Sequence, residues 1–175
     1  MSFKLDFSEN EDFPEVKDGD YEVVMSNVQE DANPNTGTEF INFDMIIRND
    51  IKQGFQNSHV FQRIYRNKTT NKYPQKFIMR IAEAFSLEDG KSYDNFDNFM
   101  KDFLAKPAKL RVKNESSDYD GKTYNNLNVK RWTKTDFPQL QHKWPDKTNP
   151  NKLKNDDPFA NNGESIDISD SDLPF

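Results

Sequence analysis

From Tyr21 to Trp132 the apolar residues fall mostly at every second position, interrupted by a single stretch, 76–104, in which they recur three to four residues apart. The first spacing sends alternate side chains to opposite faces of an extended strand, and the second makes one stripe along a helix. The clearest strand runs from Thr38 to Arg48, with Ile41, Phe43, Met45 and Ile47 on one face and Phe40, Asn42 and Asp44 on the other. Further strands are expected at Tyr21–Val28, Asn57–Arg66, Ala108–Asn114 and Thr123–Trp132. Turn-formers crowd Asp31–Gly37, and Tyr119-Asp-Gly-Lys122 is a hairpin signal between the last two strands. Within the interruption, Phe77, Ile78, Ile81, Ala82 and Phe85 make the stripe of one amphipathic helix, opened by Pro74. Phe96, Phe99, Met100, Phe103 and Leu104 make a second stripe, which Lys106-Pro107 ends.

Three strands, a helical insertion and two strands is the order of a five-stranded OB barrel, whose helix lies between strands three and four. A generic α+β domain shows the same order. The expectation is a mainly β, OB-like five-stranded barrel over residues 21–137. It is flanked by an acidic N-terminal arm (1–20), a flexible linker (138–165) and an acidic tip (166–175). Apolar content has to be concentrated for this to fold, because the mean hydropathy is -1.04. Leu, Ile, Val and Phe supply only 39 of the 175 residues, and the 15 Phe carry much of that area.

Charge is segregated. The first twenty residues hold seven acids against Lys4 and Lys17, and Asp156–Phe175 holds six acids and no Lys or Arg. Residues 21–155 are left with 22 basic and 17 acidic side chains, so a chain of net charge -6 has a cationic middle. Binding single strands without sequence preference needs cations to track phosphates and exposed rings to stack on bases. Alternation places His59, Phe61, Arg63 and Tyr65 on one face of strand three, opposite Val60 and Ile64. It gives strand four the outward cations Lys109, Arg111 and Lys113. On strand five it groups Tyr124, Asn126, Asn128, Lys130 and Trp132 opposite Leu127 and Val129. The expected nucleic-acid contacts are therefore Phe61, Arg63, Tyr65, Lys109, Arg111, Lys113, Tyr124, Asn126, Lys130 and Trp132.

The chain ends in Asp170-Ser-Asp-Leu-Pro-Phe175. Physically this is a peptide hook. Asp170 and Asp172 steer toward a basic rim, Pro174 limits the entropy lost on docking, and Leu173 and Phe175 offer apolar anchors. This ending resembles the acidic tip of bacterial single-stranded DNA-binding proteins, with Ser171 inside the acid run and Leu173 where Ile is usual. Glu39-Phe-Ile-Asn-Phe-Asp-Met-Ile-Ile-Arg-Asn-Asp50, Lys113-Asn-Glu115 and Gly121-Lys-Thr-Tyr-Asn-Asn-Leu-Asn-Val-Lys130 resemble a phage family long catalogued only as a domain of unknown function. That family lies in the replication modules of phages of Gram-positive bacteria. The resemblance covers about residues 18–145 plus the tip. It implies an OB-like protein that binds and protects single-stranded DNA and recruits replication and recombination proteins through its tip, in the cytoplasm of a bacterial host.

Other classes find less support. There is no cysteine, hence no disulfide or thiolate site, and His59 and His142 stand far apart. Asp6, Glu9, Glu11 and Asp12 could hold Mg²⁺ for a nuclease only if their arm were rigidly placed. No nucleophile triad or Gly-rich phosphate loop is present, so neither an enzyme nor a cofactor is expected. No apolar run reaches the ~18 residues of a membrane span. The rival reading is a protein-interaction adaptor or DNA mimic of the same replication module, which the basic middle disfavours. Self-association stays open.

Overall fold

The computed structural model describes residues 15–145 and Pro150. Five strands and two short helices follow one another: β1 (Gly19–Ala32), β2 (Glu39–Ile47), β3 (His59–Tyr65), α1 (Gln75–Ala84), α2 (Phe96–Asp102), β4 (Pro107–Tyr119) and β5 (Lys122–Thr133). The strands form one antiparallel sheet in the order β3-β2-β1-β4-β5. Its inner face carries the core. Ile41, Phe43, Met45 and Ile47 of β2 all point inward, as their alternation predicts, and meet Val23, Met25, Val28, Leu110 and Val112 from the neighbouring strands.

The helices close one end of this core. α1 buries Ile78, Ile81, Ala82 and Ala84, and Phe85 at its C-terminus is fully enclosed. α2 starts at Asn95, whose side chain accepts the Asn98 amide at 2.8 Å, an N-cap that satisfies one orphan donor. Edge-to-face contacts link Phe103 to Phe43 (5.4 Å), Phe85 (6.0 Å) and Phe99 (5.3 Å), tying helices to sheet. Asp120 and Gly121 both adopt positive φ (52° and 73°) in the two-residue β4–β5 loop, the twist that a tight hairpin demands.

The barrel expected from the strand order is not closed. β3 and β5 approach each other, yet no hydrogen-bonded ladder joins them among the described residues. β3 offers seven residues against twelve in β5. Where a closing ladder would run, an open concavity of about 810 Å³ lies between Ser58 and His59 on one side and Asn125 and Leu127 on the other.

Two bulges shift the alternation. In β1 the pairing jumps between Met25 and Asn27, leaving Ser26 as the extra residue, so Val23 and Met25 point inward before the bulge and Val28 after it. In β5, Arg131 pairs with Arg111 and Val129 with Val112, leaving Lys130 as the extra residue. Beyond that point the inward parity changes, and Trp132 pairs with the core residue Leu110.

The chain after β5 does not leave the domain at residue 137. It crosses the outer face as a strap, fastened by Arg48, a fully enclosed arginine with 0% exposure. Arg48 makes a two-pronged pair with Asp50 (2.9 and 2.6 Å) and donates to Thr135 Oγ1 (3.3 Å), the Phe137 carbonyl (2.8 Å) and the Gln139 carbonyl (3.1 Å). The buried Glu22 carboxylate accepts from the Thr135 hydroxyl at 2.5 Å and the Asp136 amide at 3.1 Å. Asn49 then holds His142 and Lys143, its amide donating to His142 Nδ1 at 3.1 Å. Residues 138–145, expected to begin a flexible linker, thus include Gln139, Gln141, His142 and Lys143 bonded to Arg48, Asn49 and Asp50 just past the end of β2. The arm residues Asp6, Glu9, Glu11 and Asp12, residues 146–149 and 151–165 of the expected linker, and the tip with Asp170, Asp172, Leu173, Pro174 and Phe175 lie outside the described residues. No described helix is long and apolar enough to cross a membrane.

Candidate nucleic-acid interface

The register settles which side chains share the outer face. The row His59–Ile46–Val24–Pro107 crosses four strands, so the outward residues of β3 and those of β4 belong to one side of the sheet. On β3 that side presents Phe61 (55% exposed), Arg63 and Tyr65 (43% exposed). Behind them stand Asp44, Asn42 and Phe40 of β2, paired to Phe61, Arg63 and Tyr65 in turn. Phe40 is buried on this face because Tyr65 lies against its ring at 5.2 Å and the Arg63 guanidinium covers it at 5.0 Å. His59 stacks parallel to Phe61 at 5.7 Å and 11°, and its Nδ1 lies 2.6 Å from Asp44 Oδ1. Burial pushes the Asp44 carboxyl above its ordinary range, against the pull of His59. Arg63 has no carboxylate partner among the described residues, so its charge is available.

The β4–β5 set lies toward the opposite end of the same face, with the strap over Glu22 and Arg48 between them. Its cations are mostly engaged. Lys109 pairs with Asp136 (2.6 Å), Arg111 with Asp20 (2.8 Å) and Lys130 with Glu115, whereas Lys113 makes no ion pair among the described residues. The Arg111 guanidinium holds the Asp20 carboxyl below its usual range. Such exposed pairs are weak and salt-screened, so phosphates can displace the acids. Tyr124, Asn126 and Asn128 are exposed on the protruding hairpin. At its tip Tyr119, 75% exposed and diagonal to Tyr124, is a ring that alternation alone did not single out. The two sets approach each other from the other side too, across the concavity shared by His59 and Asn125.

Trp132 is the correction. It shares no face with Tyr124: the bulge at Lys130 turns it inward, where only 8% is exposed and Phe77 and Phe85 pack on it at 6.3 and 6.4 Å. It belongs to the core and is not placed to stack on a base. Phe40, Asp44 and His59 join the outer face in its stead. Alternation already set His59 beside Phe61, whereas it marked the face of Phe40 and Asp44 on β2 without showing that they neighbour Phe61 and Tyr65. Among the described residues no group of His, Asp and Glu is placed to hold a metal ion.

Fold and face define a class: an open, five-stranded antiparallel sheet domain with two helices between its third and fourth strands and an exposed ring-and-cation row on its outer side. Residues 3–139 match the family described as "Protein of unknown function (DUF669)", and the chain belongs to that family. Among curated proteins no match is found.

Proposed function

We propose that this chain binds and protects single-stranded DNA in phage replication and recombination, holding it across the outer face of β2 and β3, and recruits partner proteins through its acidic C-terminal tip. The observation that carries the reading is the row Phe61–Arg63–Tyr65: two half-exposed rings flanking a cation with no carboxylate partner among the described residues. Stacking on such rings and neutralising phosphate with such a cation are the two requirements of single-strand binding. The strand order, with helices between β3 and β4, supports an OB-like reading of the open sheet, since OB folds are partly open and use the face of strands two and three. Lys113 and the displaceable cations Lys109, Arg111 and Lys130 extend the track toward the hairpin, where Tyr119, Tyr124 and Asn126 form a wall.

A second reading, a protein-interaction adaptor, draws on two observations. Three of the β4–β5 cations already have acidic partners. A concavity of about 860 Å³ beside the helices, lined by Ile78, Met79, Phe96 and Phe99 together with acidic Glu83 and Glu88 and basic Lys91 and Lys134, would suit an apolar peptide segment. Fluorescence anisotropy of labelled oligo-dT and of a duplex, titrated with the full chain at rising salt, separates the two. A single-strand binder prefers oligo-dT and loses affinity steeply with salt through counterion release. An adaptor binds neither strand form at low salt, which would overturn the proposal.

A further inference from the structure

A carboxylate in the middle of a surface that holds a polyanion needs a reason, because it repels every phosphate nearby. Asp44 is such a group. It sits on β2 directly opposite Phe61, the most exposed ring of the β3 row, and cross-strand partners hold their side chains within contact range. Its side chain is 19% exposed and fixed, with Oδ1 held by His59 Nδ1 at 2.6 Å. Oδ2 takes no protein donor among the described residues. His59 stacks parallel on Phe61, so the imidazole backs one face of that ring while the carboxylate that holds the imidazole lies beside the pair.

We infer that this face reads bases as well as stacking them, with Asp44 as the specificity-determining residue that accepts a hydrogen bond from the exocyclic amino group of cytosine or adenine. The inference rests on the reading that this face takes single-stranded DNA. A base stacked on the other face of Phe61 would lie beside Asp44, the cross-strand partner of that ring, with its edge in reach of the carboxylate. Cytosine N4 and adenine N6 present amino donors there, whereas thymine and uracil present O4, an acceptor that meets the carboxylate oxygen with like polarity. The carboxylate thus weakens binding to every strand through phosphate repulsion and restores it selectively for amino-bearing bases.

Oligo-dC and oligo-dU of equal length are the sharpest probes, because cytosine and uracil differ only in the amino or carbonyl group at position 4 and the adjoining ring proton. With the full chain, oligo-dC should bind about tenfold more tightly than oligo-dU, the discrimination typical of one good base-edge contact. Asp44→Ala should bring the two affinities within about twofold, with that for oligo-dU unchanged or improved. Asp44→Asn, which keeps the shape and hydrogen-bonding capacity of the side chain, guards against misfolding. Its amide can donate to O4, so it should lift oligo-dU relative to oligo-dC. Equal binding of both strands by the unaltered chain would overturn the inference and leave the binding reading standing, as would a preference for oligo-dC that survives in both variants. Failure to bind either strand at low salt would instead sink the underlying reading.

Discussion

Arg48→Met is expected to have one of the largest effects of any single substitution in the described domain. Methionine keeps an unbranched side chain of comparable reach but removes every guanidinium donor. Left behind are the Asp50 carboxylate, with 7% of its side chain exposed, and the Phe137 and Gln139 carbonyls, which lose the donors that Arg48 supplied. Breaking a buried pair by deleting one partner costs ~3–5 kcal/mol, a large share of the ~5–15 kcal/mol that keeps an ordinary domain folded. Urea unfolding reads this directly. With slopes of ~1–3 kcal/mol per molar, the midpoint should fall by at least about 1 M. The chain has two tryptophans, one in the core and one in the strap, so a Trp132→Phe background leaves Trp144 as the sole indole reporter of strap release. The double change Arg48→Met with Asp50→Asn should recover part of the loss, since it removes the stranded charge. A loss below about 1 kcal/mol, or no recovery in the double variant, would refute the idea that this buried pair fastens the strap.

Trp132→Ala should destabilise the domain by ~3–5 kcal/mol through the cavity it opens. Trp132→Phe should cost less, because the indole N–H has no partner to lose among the described residues. Thermal melts would show whether the two rank in that order. Phe61→Ala should weaken oligo-dT binding by ~1–3 kcal/mol with little change in melting temperature, whereas Tyr65→Ala should weaken it similarly and also lower the melting temperature, because it uncovers Phe40, as anisotropy and calorimetry together would establish. Acid should destabilise the fold. Burial pushes Asp50 up, but Arg48 and the Gln141 amide outweigh it and leave the carboxyl below its unfolded value; Asp102, held by Tyr93, Lys91 and Lys106 against burial, is likewise lowered. The unfolded chain then binds more protons, so stability present above about pH 4 is lost as pH falls toward the folded values, which urea midpoints at successive pH values would reveal. Gly121→Val, which forces a β-branched residue to a φ of +73°, should fray the hairpin and lower amide protection in residues 115–126 while sparing β2.

What could be read in the chain was whatever depended on local spacing. The inward set Ile41, Phe43, Met45 and Ile47 needed only a regular strand, the Phe77–Phe85 stripe only a helix, and Asp120-Gly121 only the backbone demands of a tight turn. The exposed trio Phe61, Arg63 and Tyr65 was legible for the same reason, since β3 has no bulge. Trp132 was not, because one extra residue at Lys130 reverses the parity on which its assignment rested. The strap was hidden differently. Its hold consists mostly of backbone carbonyls and amides meeting Arg48, Glu22, Asn49 and Asp50, and a Pro-, Asn- and Lys-rich composition leaves no mark of such bonds. The engagement of Lys109, Arg111 and Lys130 by acids from distant positions likewise has no local signature. Closure of the sheet depends on how its two outermost strands meet, which element order does not determine.

The Lys130 bulge also governs how this hairpin can change length. Everything between the bulge and the turn is paired residue against residue, so the arm can grow or shrink at its tip by one residue on each strand without disturbing the packed interior. A single-residue insertion or deletion between Leu127 and Trp132 has no such freedom, for it would either exchange the indole for a neighbour or turn Leu127 toward water. Relatives with longer or shorter arms should therefore differ there by even numbers of residues.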